Sequence, residues 1–107
     1  MPQNVIVKGK DNPVVMEFYF TGDFEASGLN TFTEVKLTIG GEEYSTVANP
    51  DNLSIESTTE LRLKIGDSTG LDVGHYLPEI VGFSVTYNDG YLLSGKCKAI
   101  LPTIRVC

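Results

Sequence analysis

The sequence predicts an all-β fold: a two-sheet sandwich of seven to nine antiparallel strands, forming one domain over residues 1–107. Three observations carry that expectation. Apolar and polar residues alternate with a period of two in several separate stretches, the mark of strands with one buried face. Turn-forming groups of Gly, Pro, Asn and Asp recur at roughly the 8–12-residue spacing of all-β sandwiches. No long stretch repeats its apolar positions at helical spacing. The length of 107 residues also suits a single domain, which buries roughly two-thirds of the surface its unfolded chain exposes. That is enough for a core without metals or crosslinks.

The elements follow in order. A first strand covers 4–8, and Asp11-Asn12-Pro13 turns the chain. Over 14–21, Val14, Met16, Phe18 and Phe20 alternate with Val15, Glu17, Tyr19 and Thr21. Gly22-Asp23 and Ser27-Gly28 bound an irregular stretch with room for a short helical turn at 24–29. Over 33–39, Val35, Leu37 and Ile39 make a clean apolar face, with Glu34, Lys36 and Thr38 opposite. Gly40-Gly41 then reads as a hairpin loop into 42–47. Asn49-Pro50-Asp51-Asn52 is a second turn, before a strand at 52–56. Leu61, Leu63 and Ile65 repeat the clean alternation over 59–65. One long strand is expected at 75–86, then the Asn88-Asp89-Gly90 turn, a strand at 91–100 and a short one at 103–106.

The 75–86 stretch contradicts its own alternation. Tyr76, Pro78 and Ile80 share one parity, and Phe83, Val85 and Tyr87 the other. A bulge near Val81-Gly82 reconciles them. Pro78 donates no hydrogen bond, which puts it at an edge, a strand start or a bulge.

Composition excludes several functions. Net charge is −6, with 14 acids against 8 bases. The bases are scattered, whereas phosphate binding needs clustered cations; no nucleic acid is expected. No apolar run is long enough to span a bilayer, so no membrane partner is expected. The start, MPQNVIVKGK, lacks the apolar stretch of a signal peptide, and assembly in a cytoplasm is the expectation. Cys97 and Cys107 lack CxxC spacing and read as reduced thiols, unless the last strand folds back beside Cys97.

The candidate sites are mostly structural. In Asp72-Val73-Gly74-His75-Tyr76, the spacing of Asp72, Gly74 and Tyr76 matches a tyrosine corner, whose hydroxyl bonds backward to the main chain. Antibody-like domains carry this arrangement just before their second core cysteine, where this chain has Pro78. Gly74 is expected to allow the tight turn and Asp72 to hydrogen-bond within it. His75, the single histidine, lacks the companion nucleophile and acid of a catalytic centre and reads as a surface residue. Glu42-Glu43 reads as a solvated edge, and the 67–72 segment lacks the alternating oxygen ligands of a calcium loop. No enzyme and no cofactor is expected. Tyr19, Tyr44, Tyr87 and Tyr91 are either cross-strand packing residues or a weak sugar-binding platform.

Two blocks together resemble a known family. Val7-Lys8-Gly9-Lys10-Asp11 followed by Val14–Phe20 is similar to the opening of immunoglobulin-like domains in tailed-bacteriophage structural proteins, including the N-terminal domain of baseplate upper proteins. Leu61–Ile65, then Leu71, Gly74 and Tyr76, is similar to the later part of the same domains. The resemblance implies an immunoglobulin-like sandwich in a virion, without enzymatic activity or cofactor. Its expected role is an adaptor or decoration on a tail, baseplate or head, with other virion proteins and copies of itself as partners. The alternative is a surface glycan-binding module. The contact surface is expected to include an exposed edge strand, Phe24, Leu29 and Phe32 around the 22–32 loop, and Ile104 and Val106 near the end of the chain. Phe24, Leu29 and Phe32 have a second reading, as a plug for the end of the core.

Overall fold

Alternation in the sequence becomes strand, and the apolar parity turns inward. The computed structural model describes residues 5–18, 20, 26–94 and 104–107. Among them are ten strands: β1 (Val5–Ile6), β2 (Val14–Glu17), β3 (Glu34–Ile39), β4 (Glu42–Ser45), β5 (Leu53–Ile55), β6 (Glu60–Leu63), β7 (Gly74–Tyr76), β8 (Glu79–Phe83), β9 (Tyr91–Ser94) and β10 (Ile104–Val106). One 3-10 turn, Gly28–Thr31, is the only helical segment in this part of the chain. The protein is an all-β sandwich.

The strands form three hydrogen-bonded sheets, ordered β1-β10-β7, β2-β6-β5 and β4-β3-β8-β9. All pairs are antiparallel except β1 with β10. The count exceeds the expected seven to nine, and the sheets number three rather than two, in part because the long strand expected at 75–86 is two strands. It breaks at Leu77-Pro78, and its halves join different sheets, β7 to β10 and β8 to β3. Pro78 has no N–H to give a ladder, so the switch of sheets falls where pairing would fail. Register between β8 and β9 shifts at Ile80/Val81, next to the expected bulge.

All three sheets feed one core. Val14, Met16 and Phe18 on and after β2, Val35, Leu37 and Ile39 on β3, and Leu61, Leu63 and Ile65 on and after β6 are buried together with Leu53, Ile80 and Leu93. Burying each such side chain contributes roughly 1.5–3 kcal/mol relative to leaving it exposed. The β3–β4 hairpin closes through Gly40-Gly41, with φ of 54° and 88°. Positive φ at both central residues is what a two-residue type I′ loop requires.

Ile104 and Val106, expected on a contact surface, lie in this core, and so do Leu29 and Phe32, for which the core was the second of two readings. Leu29 is pinned in the 3-10 turn, its N–H donating to the Thr58 carbonyl at 2.8 Å, and its side chain is fully buried. Phe32 is 5% exposed because its ring lies flat against Gly82, where a Cβ would come within 2.5 Å of it. Ile104 and Val106 are buried because β10 is a central strand, flanked by β1 and β7. These four hold the fold together and are unavailable for contacts. Phe24, the remaining residue of that set, lies outside the described residues, as do Tyr19 and Cys97. Cys107 is an exposed free thiol.

Candidate functional site

Among the described residues, a polar cleft of about 430 Å³ lies on the outer side of the β2-β6-β5 sheet. Its lining is Pro50, Asp51, Asn52, Ser54, Arg62, Lys64 and Asp67. Arg62 and Lys64 lie two residues apart along β6 and its extension, so they share a face, opposite the buried Leu61, Leu63 and Ile65. Ser54 is the cross-strand partner of Arg62 on β5. Arg62 also leans toward Glu56, with Nη1 to Oε1 at 3.6 Å, both side chains partly exposed. A second, shallower cleft lies across Arg62, bordered by Pro13, Val15, Glu56 and Glu60.

Both walls of the main cleft are anchored on β4. One wall is the Asn49–Asn52 turn. Asn49 accepts from the Ser45 N–H through Oδ1 at 3.1 Å, and its own N–H donates to the Ser45 carbonyl at 2.8 Å. The Asn52 and Leu53 N–H groups both return to the Asn49 carbonyl. Asn52 is then clipped to the floor: the Lys64 N–H donates to its carbonyl at 2.7 Å, and its Nδ2 donates to the Lys64 carbonyl at 3.0 Å. Ser45 is a buried hydroxyl, donating to Glu34 and accepting the Val47 and Ala48 N–H groups.

The other wall carries Asp67 and is held by Glu42. Glu42 Oε1 accepts from Thr69 Oγ1 at 2.7 Å and from the Tyr44 hydroxyl at 2.8 Å, while Oε2 accepts the Gly70 N–H at 2.8 Å. Partial burial pushes the Glu42 carboxyl up, but these hydrogen bonds and the nearby charge of Lys8 outweigh it and leave the group below the ordinary carboxylate value. Burial, then the hydrogen bond to Glu42 and its charge, push Tyr44 up to about 12, so its hydroxyl remains a donor. Glu42 is therefore a clasp between the β3–β4 hairpin and the 66–70 loop, not the solvated edge its sequence suggests. No local signal could have shown this, because Thr69 and Gly70 are remote in sequence.

The corner residues meet elsewhere. The Tyr76 hydroxyl donates to the Asp72 carbonyl at 2.7 Å, the backward bond of a tyrosine corner. Its ring packs over the hairpin loop: a Cβ on Gly40 would come within 3.0 Å of it. Asp72 thus contributes its main chain, while its side chain is exposed. Gly74 is not the turn that it was expected to be. It is a β7 residue paired with Val106, with space for a Cβ and no left-handed φ. His75 is exposed on the same strand, opposite Arg105.

The aromatic residues divide. Tyr44 is engaged with Glu42, and Tyr87 and Tyr91 pack around Phe32 with ring centroids 6.2 and 6.1 Å from it. These three are partly buried and pack against the core. On the outer face of the β4-β3-β8-β9 sheet, Val81 pairs with Lys36 and Leu92, and Phe83 lies under the Lys36 ammonium at 5.4 Å. Val85, in the turn beyond β8, is 95% exposed. Among the described residues, no group of His, Cys, Asp and Glu could hold a metal ion. Comparison of the chain with protein-family models, curated proteins and solved structures gave no match.

Proposed function

We propose that this domain works through protein contacts, as a structural component of a bacteriophage particle: an adaptor or decoration present in several copies on a tail, baseplate or head. The observation that carries the contact role is the outer face of the β4-β3-β8-β9 sheet. There Val81, Phe83 and Leu92 stay only half-buried, and the fully exposed Val85 extends the apolar surface into the adjoining turn. Apolar side chains gathered on one face mark a surface that gains from being covered. The flat faces and open edges of a sandwich suit repeated contacts of this kind. The placement on a phage particle rests on the resemblance of the Val7–Phe20 and Leu61–Tyr76 blocks to phage immunoglobulin-like domains. Immunogold labelling of purified particles, with an antibody raised against the domain, tests it. Regular label at one position on the particle is expected; particles without label refute the reading.

A further inference from the structure

We propose that the cleft between the Asn49–Asn52 turn and the 66–70 loop is a binding site for an uncharged saccharide. This goes beyond the contact role above and does not depend on it. The proposal rests on how the cleft is made and on what its charges allow.

The cleft is built rather than incidental. The Asn52 wall is fixed by paired hydrogen bonds to Lys64 and through Asn49 to Ser45. The Asp67 wall is held by the two bonds that Glu42 accepts from Thr69 and Gly70, and by the Ser68 and Thr69 N–H groups returning to the Ile65 carbonyl. Binding would therefore cost little ordering of the site itself. Its volume lies within the range of about 300–1,000 Å³ typical of small-ligand sites.

Its chemistry alternates donors and acceptors. Arg62 and Lys64 present N–H groups from the floor, and the Asp51 and Asp67 carboxylates present acceptors from the walls. The Asn52 amide can do both, and Ser54, whose hydroxyl donates to Glu56 at 3.3 Å, can accept. A sugar ring offers neighbouring hydroxyls, each both donor and acceptor, and such pairs match planar carboxylate, amide and guanidinium groups. The Pro50 ring and the aliphatic stems of Arg62 and Lys64 supply apolar surface for the C–H side of a ring.

The same charges argue against an anion. Two cations in the cleft face two carboxylates, and Glu56 already leans on Arg62. The whole chain carries a net charge of −6. A phosphate or carboxylate would approach against that field and against Asp51 and Asp67, whereas an uncharged polyol meets no such repulsion. An open, polar site of this kind binds weakly one copy at a time, and repeated copies would raise the avidity without any new contact.

Amide chemical shifts of the labelled domain test the proposal. The methyl glycosides of glucose, galactose, mannose and N-acetylglucosamine are titrated separately, with inorganic phosphate and glutamate as the charged probes. At least one glycoside is expected to give saturable shifts at Asn52, Ser54, Arg62, Lys64 and Asp67, with little change on adding salt. Arg62→Gln and Asp67→Asn, both at exposed or half-exposed positions, are expected to keep the rest of the spectrum and to weaken that binding roughly tenfold each. The proposal is overturned if phosphate or glutamate shifts these amides and no glycoside does. It is equally overturned if all four glycosides leave the cleft unshifted, or if both variants bind as tightly as the parent.

Discussion

Glutamine at position 42 would keep the shape of the side chain and remove its charge. The carboxylate accepts three hydrogen bonds, from Thr69 Oγ1 at 2.7 Å and from the Tyr44 hydroxyl and the Gly70 N–H at 2.8 Å each. An amide can keep its oxygen on the Gly70 N–H, but the Thr69 and Tyr44 hydroxyls must then turn to accept from its nitrogen, and the charge that strengthens all three bonds is lost. A hydrogen bond to a charged acceptor is worth about 1.5–3 kcal/mol. Glu42 is only partly buried, and solvent screening discounts that value, so Glu42→Gln is expected to cost about 1–2 kcal/mol at neutral pH. A loss of 1 kcal/mol lowers Tm by roughly 4–8 °C in a domain near this size. The effect has a pH signature. The folded-state carboxyl titrates below its ordinary value of 4.5. Its contribution is therefore complete above the unfolded value and is lost as pH falls through the lowered folded value. Urea unfolding of parent and variant across that range is expected to show a stability gap at neutral pH that closes in acid. A gap that is absent at neutral pH, or unchanged in acid, would refute the clasp.

Two further substitutions read other parts of the fold. Tyr76→Phe keeps the ring over Gly40 and removes the hydroxyl bonded to Asp72; chemical denaturation is expected to register a loss on the order of 1 kcal/mol, and an unchanged midpoint would argue against the corner. Gly82→Ala would place a Cβ within 2.5 Å of the Phe32 ring; overpacking of this kind costs about 1–3 kcal/mol, and thermal unfolding should report it together with altered near-ultraviolet signals from the Phe32, Tyr87 and Tyr91 cluster.

Much of the fold was legible because strand alternation is a local code. Val35, Leu37 and Ile39 declare a buried face on their own, as do Leu61, Leu63 and Ile65, since side chains two apart in a strand share a side whatever the partner. Gly40-Gly41 declares its hairpin because few other residues accept positive φ twice in succession. The spacing of Asp72 and Tyr76 carried the corner for the same reason: its hydrogen bond spans four residues.

Pairing and partnership are not local, and the tertiary structure alone decided them. Ile104 and Val106 read as a short apolar end of the chain; they are core because β1 and β7, both distant in sequence, close on either side of β10. Leu29 and Phe32 read equally as loop contacts or as a plug for the core; the approaches to Thr58 and Gly82, remote in sequence, decided for the core. The 75–86 stretch read as one strand with a break in its alternation and Pro78 at an edge, a strand start or a bulge. That Pro78 precedes a new strand, whose partner lies in another sheet, was decided by pairing remote in sequence. The cleft has the same origin. Asp51, Arg62 and Asp67 are unremarked charges along the chain, and they face one space only because Ser45 and Glu42, on a strand that contributes nothing to its lining, hold the two loops around it.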